Sequence, residues 1–163
     1  DWAFQFAFDL ARRHDIQLDI FFFPTSPCEE HEARGRWGEL IRMAREQQID
    51  LEKEIRLYYD DKLGDYEKVG FRLCLGDEAP ELRRCLFDHE YDILVLSYQK
   101  PLCPLGDKPI EEFARSMQCP VVLVGPNRPD EIYLNEPATL WTDEIGVGPG
   151  QWQPVPKTSE GDA

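Results

Sequence analysis

The stretch DILVLSYQKPLCPLGDKPIEEFARSMQCPVVLVG, residues 92–125, decides the fold. It opens on a fully apolar run, DILVLS (92–97), and closes on another, CPVVLVG (119–125). Between them lie a Pro/Gly-punctuated loop, SYQKPLCPLGDKP, and a short helical pattern, KPIEEFARSMQ (108–118). Runs without alternation suit strands buried on both faces, as in a parallel sheet whose crossovers are helices.

Working outward, the same alternation recurs. DWAFQFAFDLARRHD (1–15) carries Phe4, Ala7, Phe8 and Ala11 at helical spacing, with Leu10 beside them and Arg12, Arg13 and His14 at a cation-favouring C-terminus. IQLDIFFFP (16–24) reads as a buried strand stopped by Pro24, and TSPCEEHE supplies the cap and acidic first turn of the next helix. From about Glu29 to Leu63 the spacing of Trp37, Ile41, Ala44, Gln48, Leu51, Ile55 and Tyr58 predicts one long helix with a sheet-facing stripe. KVGFRLCLG (68–76) is a strand ended by Gly76. DEAPELRRCLFDHEY then begins a helix with Asp77 as N-cap, Pro80 in the first turn and Leu82, Cys85 and Leu86 on one face. The order α-β-α-β-α-β-α-β predicts an α/β domain over 1–126 with a parallel sheet and helices on both faces. The chain begins at Asp1 inside a helical pattern, which leads us to expect residues upstream of it.

After Pro126 the periodicity stops. Residues 127–163 are rich in Pro and Gly and read as an extended, irregular C-terminal tail. Its apolar side chains, Tyr133, Leu134, Leu140, Trp141, Ile145 and Trp152, have two readings: wrapping its own domain, or docking on a partner protein. The second is favoured, with Tyr133, Leu140, Trp141 and Trp152 as contacts.

Composition narrows function. Eighteen Lys and Arg against 32 Asp and Glu give a formal charge of −14, which disfavours nucleic acid and anionic lipid and suits a basic protein partner. The five cysteines are Cys28, Cys74, Cys85, Cys103 and Cys119. They are odd in number and contain no CxxC, so they read as reduced thiols of a cytoplasmic protein. Cys103 lies in the loop, where a redox role is the sharper reading and an incidental thiol the plainer one. No apolar run is long enough to cross a bilayer, and no signal-peptide pattern is visible. His14, His31 and His89 have no ligand spacing, and the acidic residues of CEEHE (28–32) are explained by a helix dipole, so no metal site is expected. No nucleophile–base set or paired carboxylates emerge, and the chain is read as non-catalytic.

Three stretches carry a family resemblance: GDEAPELRRCLFDHEYDILVLS, RSMQCPVVLV and LARRHDIQLDIFFF. Together they resemble the universal stress protein family over residues 1 to about 126, with CPVVLV the most specific. The resemblance implies a Rossmann-like, flavodoxin-like sheet of five parallel strands in the order 3-2-1-4-5. Strand one of that sheet has no counterpart in these residues, nor does the Asp that follows strand one in nucleotide-binding members. An upstream strand between the strands at 16–24 and 92–97 is therefore expected. The resemblance also implies homodimerisation through the last strand's edge, unless Pro126 and the tail cover it.

Nucleotide-binding members of this family carry a Gly-x-x-Gly pair after strand four and, after a spacer, Gly followed by Ser or Thr. Glycines there let backbone N–H groups approach phosphate at a helix N-terminus. Here Ser97 and Lys100 occupy the first pair's positions, and Gly106 is followed by Asp107, with Lys108 next. Asp107 reads as a helix N-cap that fills the anion site from within the chain, with Pro109 behind it. The expectation is a degenerate site without a cofactor. The favoured function is an interaction or accessory subunit held in a larger assembly by its tail. The alternatives are an AMP- or ATP-binding regulator of the stress response, and an enzyme of the adenine-nucleotide α-hydrolase-like superfold.

Overall fold

The computed structural model describes residues 2–22, 51–73, 78–87, 91–98 and 109–157. The long-helix residues from Glu29 to Asp50 lie outside them, as do His31, His89, Asp77, Lys100, Cys103, Gly106, Asp107 and Lys108. The described elements are α1 (Trp2–His14), β1 (Leu18–Phe22), α2 (Leu51–Leu63), β2 (Val69–Leu73), α3 (Glu78–Phe87) and β3 (Leu94–Ser97). They continue through α4 (Ile110–Ser116), β4 (Val121–Val124), β5 (Ile132–Leu134), a 3-10 turn (Pro137–Trp141), α5 (Thr142–Ile145) and β6 (Gln153–Pro154). The protein is thus mixed α/β, as the sequence pattern predicts.

The strands form one sheet of order β1-β2 and another of order β3-β4-β5-β6, where the resemblance implies a single five-stranded sheet. Both βαβ crossovers are parallel: Leu18 pairs with Val69, and Leu94 with Val121. β1 and β3, between which the upstream strand is expected, belong to different sheets. The chain divides into two compact units, Asp1–Leu10 with Ala79–Ala163, and Ala11–Glu78.

In the first unit β4 is buried on both faces and β3 half-buried, with side chains alternating between the faces as the period of two requires. Val122, Val124, Ile132 and Leu134 point into one core with Ala3, Ala138, Ile145 and Val147. Val121 and Leu123 point into the other with Tyr98, Ile110, Ala114 and Val155. α1 and the 3-10 turn therefore cover one face, and α4 covers the opposite one. Phe113 of α4 is 1% exposed. Arg83 of α3 stacks its guanidinium 5.1 Å from that ring and donates to the Ser116 hydroxyl at 3.0 Å, which ties α3 to α4.

The segment after Pro126 corrects the expectation of an irregular tail. β5 pairs antiparallel with β4, Leu123 opposite Tyr133, and β6 pairs parallel with β5. The edge of β4 through which a homodimer was expected to form is therefore filled by the chain itself. Gly125 makes the reversal feasible. Its φ of +110° suits glycine, and a Cβ there would lie 3.1 Å from the Tyr98 carbonyl oxygen.

In the second unit, β2 packs on α2 through Phe71, whose ring lies 5.8 Å from Tyr59 and 5.2 Å from the Arg56 guanidinium. Ile55 and Leu63 are buried, whereas Tyr58, placed on the core stripe by its spacing, is 36% exposed. The buried positions step by fours here, so the stripe rotates off the predicted line. Tyr66 closes the unit by donating its hydroxyl to the Ala11 carbonyl at 3.0 Å and to that of Ile16.

Candidate functional site

Parallel α/β sheets offer ligands the carboxyl ends of their strands, and here that address is the end of β3 facing the start of α4. Ser97 ends β3, in register with Val124. Tyr98 comes next and is 1% exposed. Its backbone N–H continues the ladder to the Val124 carbonyl at 2.8 Å, and its hydroxyl donates to Glu111 Oε1 at 2.7 Å. Glu111 is itself only 8% exposed. The Tyr98 ring meets Tyr133 edge-to-face at 5.1 Å, and the Tyr133 hydroxyl donates to Glu131 Oε1 at 2.7 Å. The second Glu131 oxygen accepts from the backbone and side chain of Asn127.

α4 starts at Ile110 with Pro109 in the N-cap position. Asp107, the cap expected from the sequence, lies outside the described residues. The acidic groups in the first turn of α4 are Glu111 and Glu112. An anion arriving at this helix end would meet two carboxylates where a phosphate site needs N–H groups and positive charge. Of the residues predicted for the degenerate nucleotide site, only Ser97 is described. Tyr98 and Glu111 belong to the same address and escape motif reading, since neither stands at a position the glycine pattern names.

Burial first, then the hydrogen bond to Glu111 and the charges of Glu111 and Glu131, raise the Tyr98 phenol well above its ordinary value of 10.0. The phenol is therefore a held donor, not a base. The Tyr133 hydroxyl, first, and the Asn127 donors hold the exposed Glu131 carboxyl below its ordinary range, against a smaller opposing effect of burial. Tyr98 gives a pH test. Above pH ~10 the unfolded chain loses this proton while the folded chain keeps it. The folded state then binds more protons, and stability falls with rising pH by up to about 1.4 kcal/mol per pH unit from this group. Tyr98→Phe is expected to remove that share. Urea unfolding at about pH 9 and pH 11 should therefore give a smaller loss in the variant than in the parent chain. Equal losses sink the assignment.

The predicted partner-contact residues separate into two groups. Tyr133 packs against the α4-side core and Trp152 against the opposite one, so both belong to the protein's own interior. Leu140 and Trp141 do not: they are 82% and 50% exposed. Both stand on a turn held from below by Asn135, which is 1% exposed and fully engaged. Its side-chain oxygen accepts from Val121 N–H at 2.9 Å and Ala138 N–H at 3.1 Å. Its amide nitrogen donates to the carbonyls of Ala114 at 3.0 Å and Cys119 at 2.9 Å. Sequence reading missed Asn135. The signal it carries is an Asn two residues before Pro137, in the manner of a helix cap.

Among the described residues, no group of three or more His, Cys, Asp or Glu is placed to hold a metal ion, and no helix is long and apolar enough to cross a membrane. No protein-family model, curated protein or solved structure matches this chain.

Proposed function

We propose that this chain is a non-catalytic, universal stress protein-like subunit of the cytoplasm that docks into a larger protein assembly through the outer side of its C-terminal segment. The observation that carries the reading is the exposed Leu140–Trp141 pair on a turn whose inner side is locked by Asn135. A preorganised aromatic and aliphatic anchor loses little entropy on binding, the property expected of an interface hot spot. The acidic first turn of α4 and the inward-held Tyr98 phenol weigh against a phosphate ligand at the neighbouring address. The single five-stranded sheet of order 3-2-1-4-5 is the finer form of the same reading.

The test is photocrosslinking from position 140 in the cells that make the protein, with position 61 as the control. A reproducible protein adduct from position 140, lost when Trp141 is replaced by Ser, is the expected result. Adducts no more frequent than from position 61 remove the reading. Titration of the chain with AMP or ATP is expected to give no binding heat, and saturable heat would favour the nucleotide-regulator alternative instead.

A further inference from the structure

The docking face carries a charge pattern that specifies its partner's chemistry. Along the 3-10 turn and α5, Ala138 and Ile145 face inward, 0% and 2% exposed. Glu136, Leu140, Trp141, Asp143 and Glu144 are exposed. Along the chain Glu136 lies four residues before Leu140, and Asp143 and Glu144 lie two and three residues after Trp141, so exposed carboxylates flank the apolar pair on both sides in sequence. From Pro129 to Pro156 the chain has five acidic residues and no Lys or Arg. The whole chain, these five residues included, carries a formal charge of −14.

Building on the docking reading, we infer that Leu140 and Trp141 receive a protein segment in which an apolar side chain is flanked by Lys or Arg. An acidic segment would be repelled here. An uncharged apolar one would strip water from the bracketing carboxylates without replacing it, which costs more than two apolar side chains return. A cationic segment satisfies both requirements: its apolar residue covers Leu140 and Trp141 while its cations meet Glu136, Asp143 and Glu144. Arg also stacks on an indole face, which adds a role for Trp141. The patch is small, so it serves one anchor point of an assembly and not a complete stable interface.

The test uses the whole 163-residue chain and two fluorescent peptides with identical leucine spacing, one with Lys and Arg between the leucines, the other with Asp and Glu. Anisotropy at about 0.15 M salt is expected to detect the cationic peptide alone. Leu140→Ser with Trp141→Ser is expected to weaken it about tenfold or more. Glu136→Gln with Asp143→Asn and Glu144→Gln is expected to weaken it about tenfold and to flatten its salt dependence. Asp60→Asn with Asp61→Asn and Glu67→Gln removes the same charge elsewhere and is expected to change affinity by less than about twofold.

Failure of the cationic peptide to bind, equal binding of the acidic one, or equal weakening by the control triple overturns the inference. Binding that survives loss of Leu140 and Trp141 does so too. The crosslink from position 140 separates the two ideas. A partner captured through an acidic or uncharged segment leaves the docking reading standing and removes this one, whereas no adduct removes both.

Discussion

Asn135→Leu is expected to destabilise the protein by about 3–5 kcal/mol, read as a lower urea midpoint at unchanged slope. Leucine keeps the branched skeleton with somewhat bulkier methyl ends, so overpacking adds to the loss but its larger part is polar. It arises because four backbone groups lose their Asn135 contact together: the N–H groups of Val121 and Ala138, and the carbonyls of Cys119 and Ala114, the last keeping only the Met117 N–H at 3.4 Å. Each buried polar group left unsatisfied costs about 1–3 kcal/mol, less whatever water can reach. Asn135→Asp distinguishes the network from shape. It preserves both acceptor contacts but aims a carboxylate at two carbonyl oxygens, and is expected to lose stability comparably. A leucine variant within about 1 kcal/mol of the parent would refute the assignment. The same variant is expected to reduce crosslinking from position 140, because Asn135 holds the turn that presents it.

The reach of the sequence depends on how each element comes to be buried. β4 reads VVLV, is buried at every position, and lies inside the predicted run CPVVLVG. Its signal is local: four apolar β-branched or aliphatic residues between a Pro and a Gly. β5 and β6 have no such signal, being three and two residues long, and β6 contains a proline. β5 is a strand because β4 offers an edge and β6 because β5 does, which is information carried by the fold and not by the segment. Tyr58 illustrates the converse. Its spacing places it on the core stripe, yet it faces solvent, where Lys62 lies over its ring at 4.5 Å.

The candidate sites divide along similar lines. The glycine pattern directed attention to Ser97 and its loop, but the groups that occupy the described side of that address are Tyr98 and Glu111, 13 positions apart in sequence. Such a pair becomes visible only when strand end and helix start meet. In the C-terminal segment, aromatic content alone could not sort Tyr133 and Trp152, which close the core, from Leu140 and Trp141, which face outward. The sorting depends on strand phase in β5 and on the inward turn made by Ala138.

Phe113→Ala is expected to cost about 3–5 kcal/mol, the range for truncating a fully buried aromatic side chain. The ring is 1% exposed, its neighbours Ile110 and Ala114 are also buried, and its backbone N–H is held by the Pro109 carbonyl at 3.1 Å. α4 is also tied to the end of β3 by the Tyr98–Glu111 hydrogen bond and to α3 by the Arg83–Ser116 one, so it cannot slide inward to close the cavity without disturbing those bonds. Part of the loss belongs to Arg83, whose guanidinium lies 5.1 Å from the ring. Phe113→Leu keeps most of the volume but removes the π face, and is expected to cost about 1–2 kcal/mol. Arg83→Met keeps an apolar stem without the charge or the Ser116 hydrogen bond, and is expected to cost about 1 kcal/mol. A double variant, Arg83→Met with Phe113→Leu, then measures their coupling, and strict additivity sinks the cation–π contribution. Leu140→Ser supplies the contrast. Because Leu140 is 82% exposed, its replacement is expected to shift stability by less than about 1 kcal/mol while weakening binding of the cationic peptide, so this surface can be altered without weakening the fold that presents it.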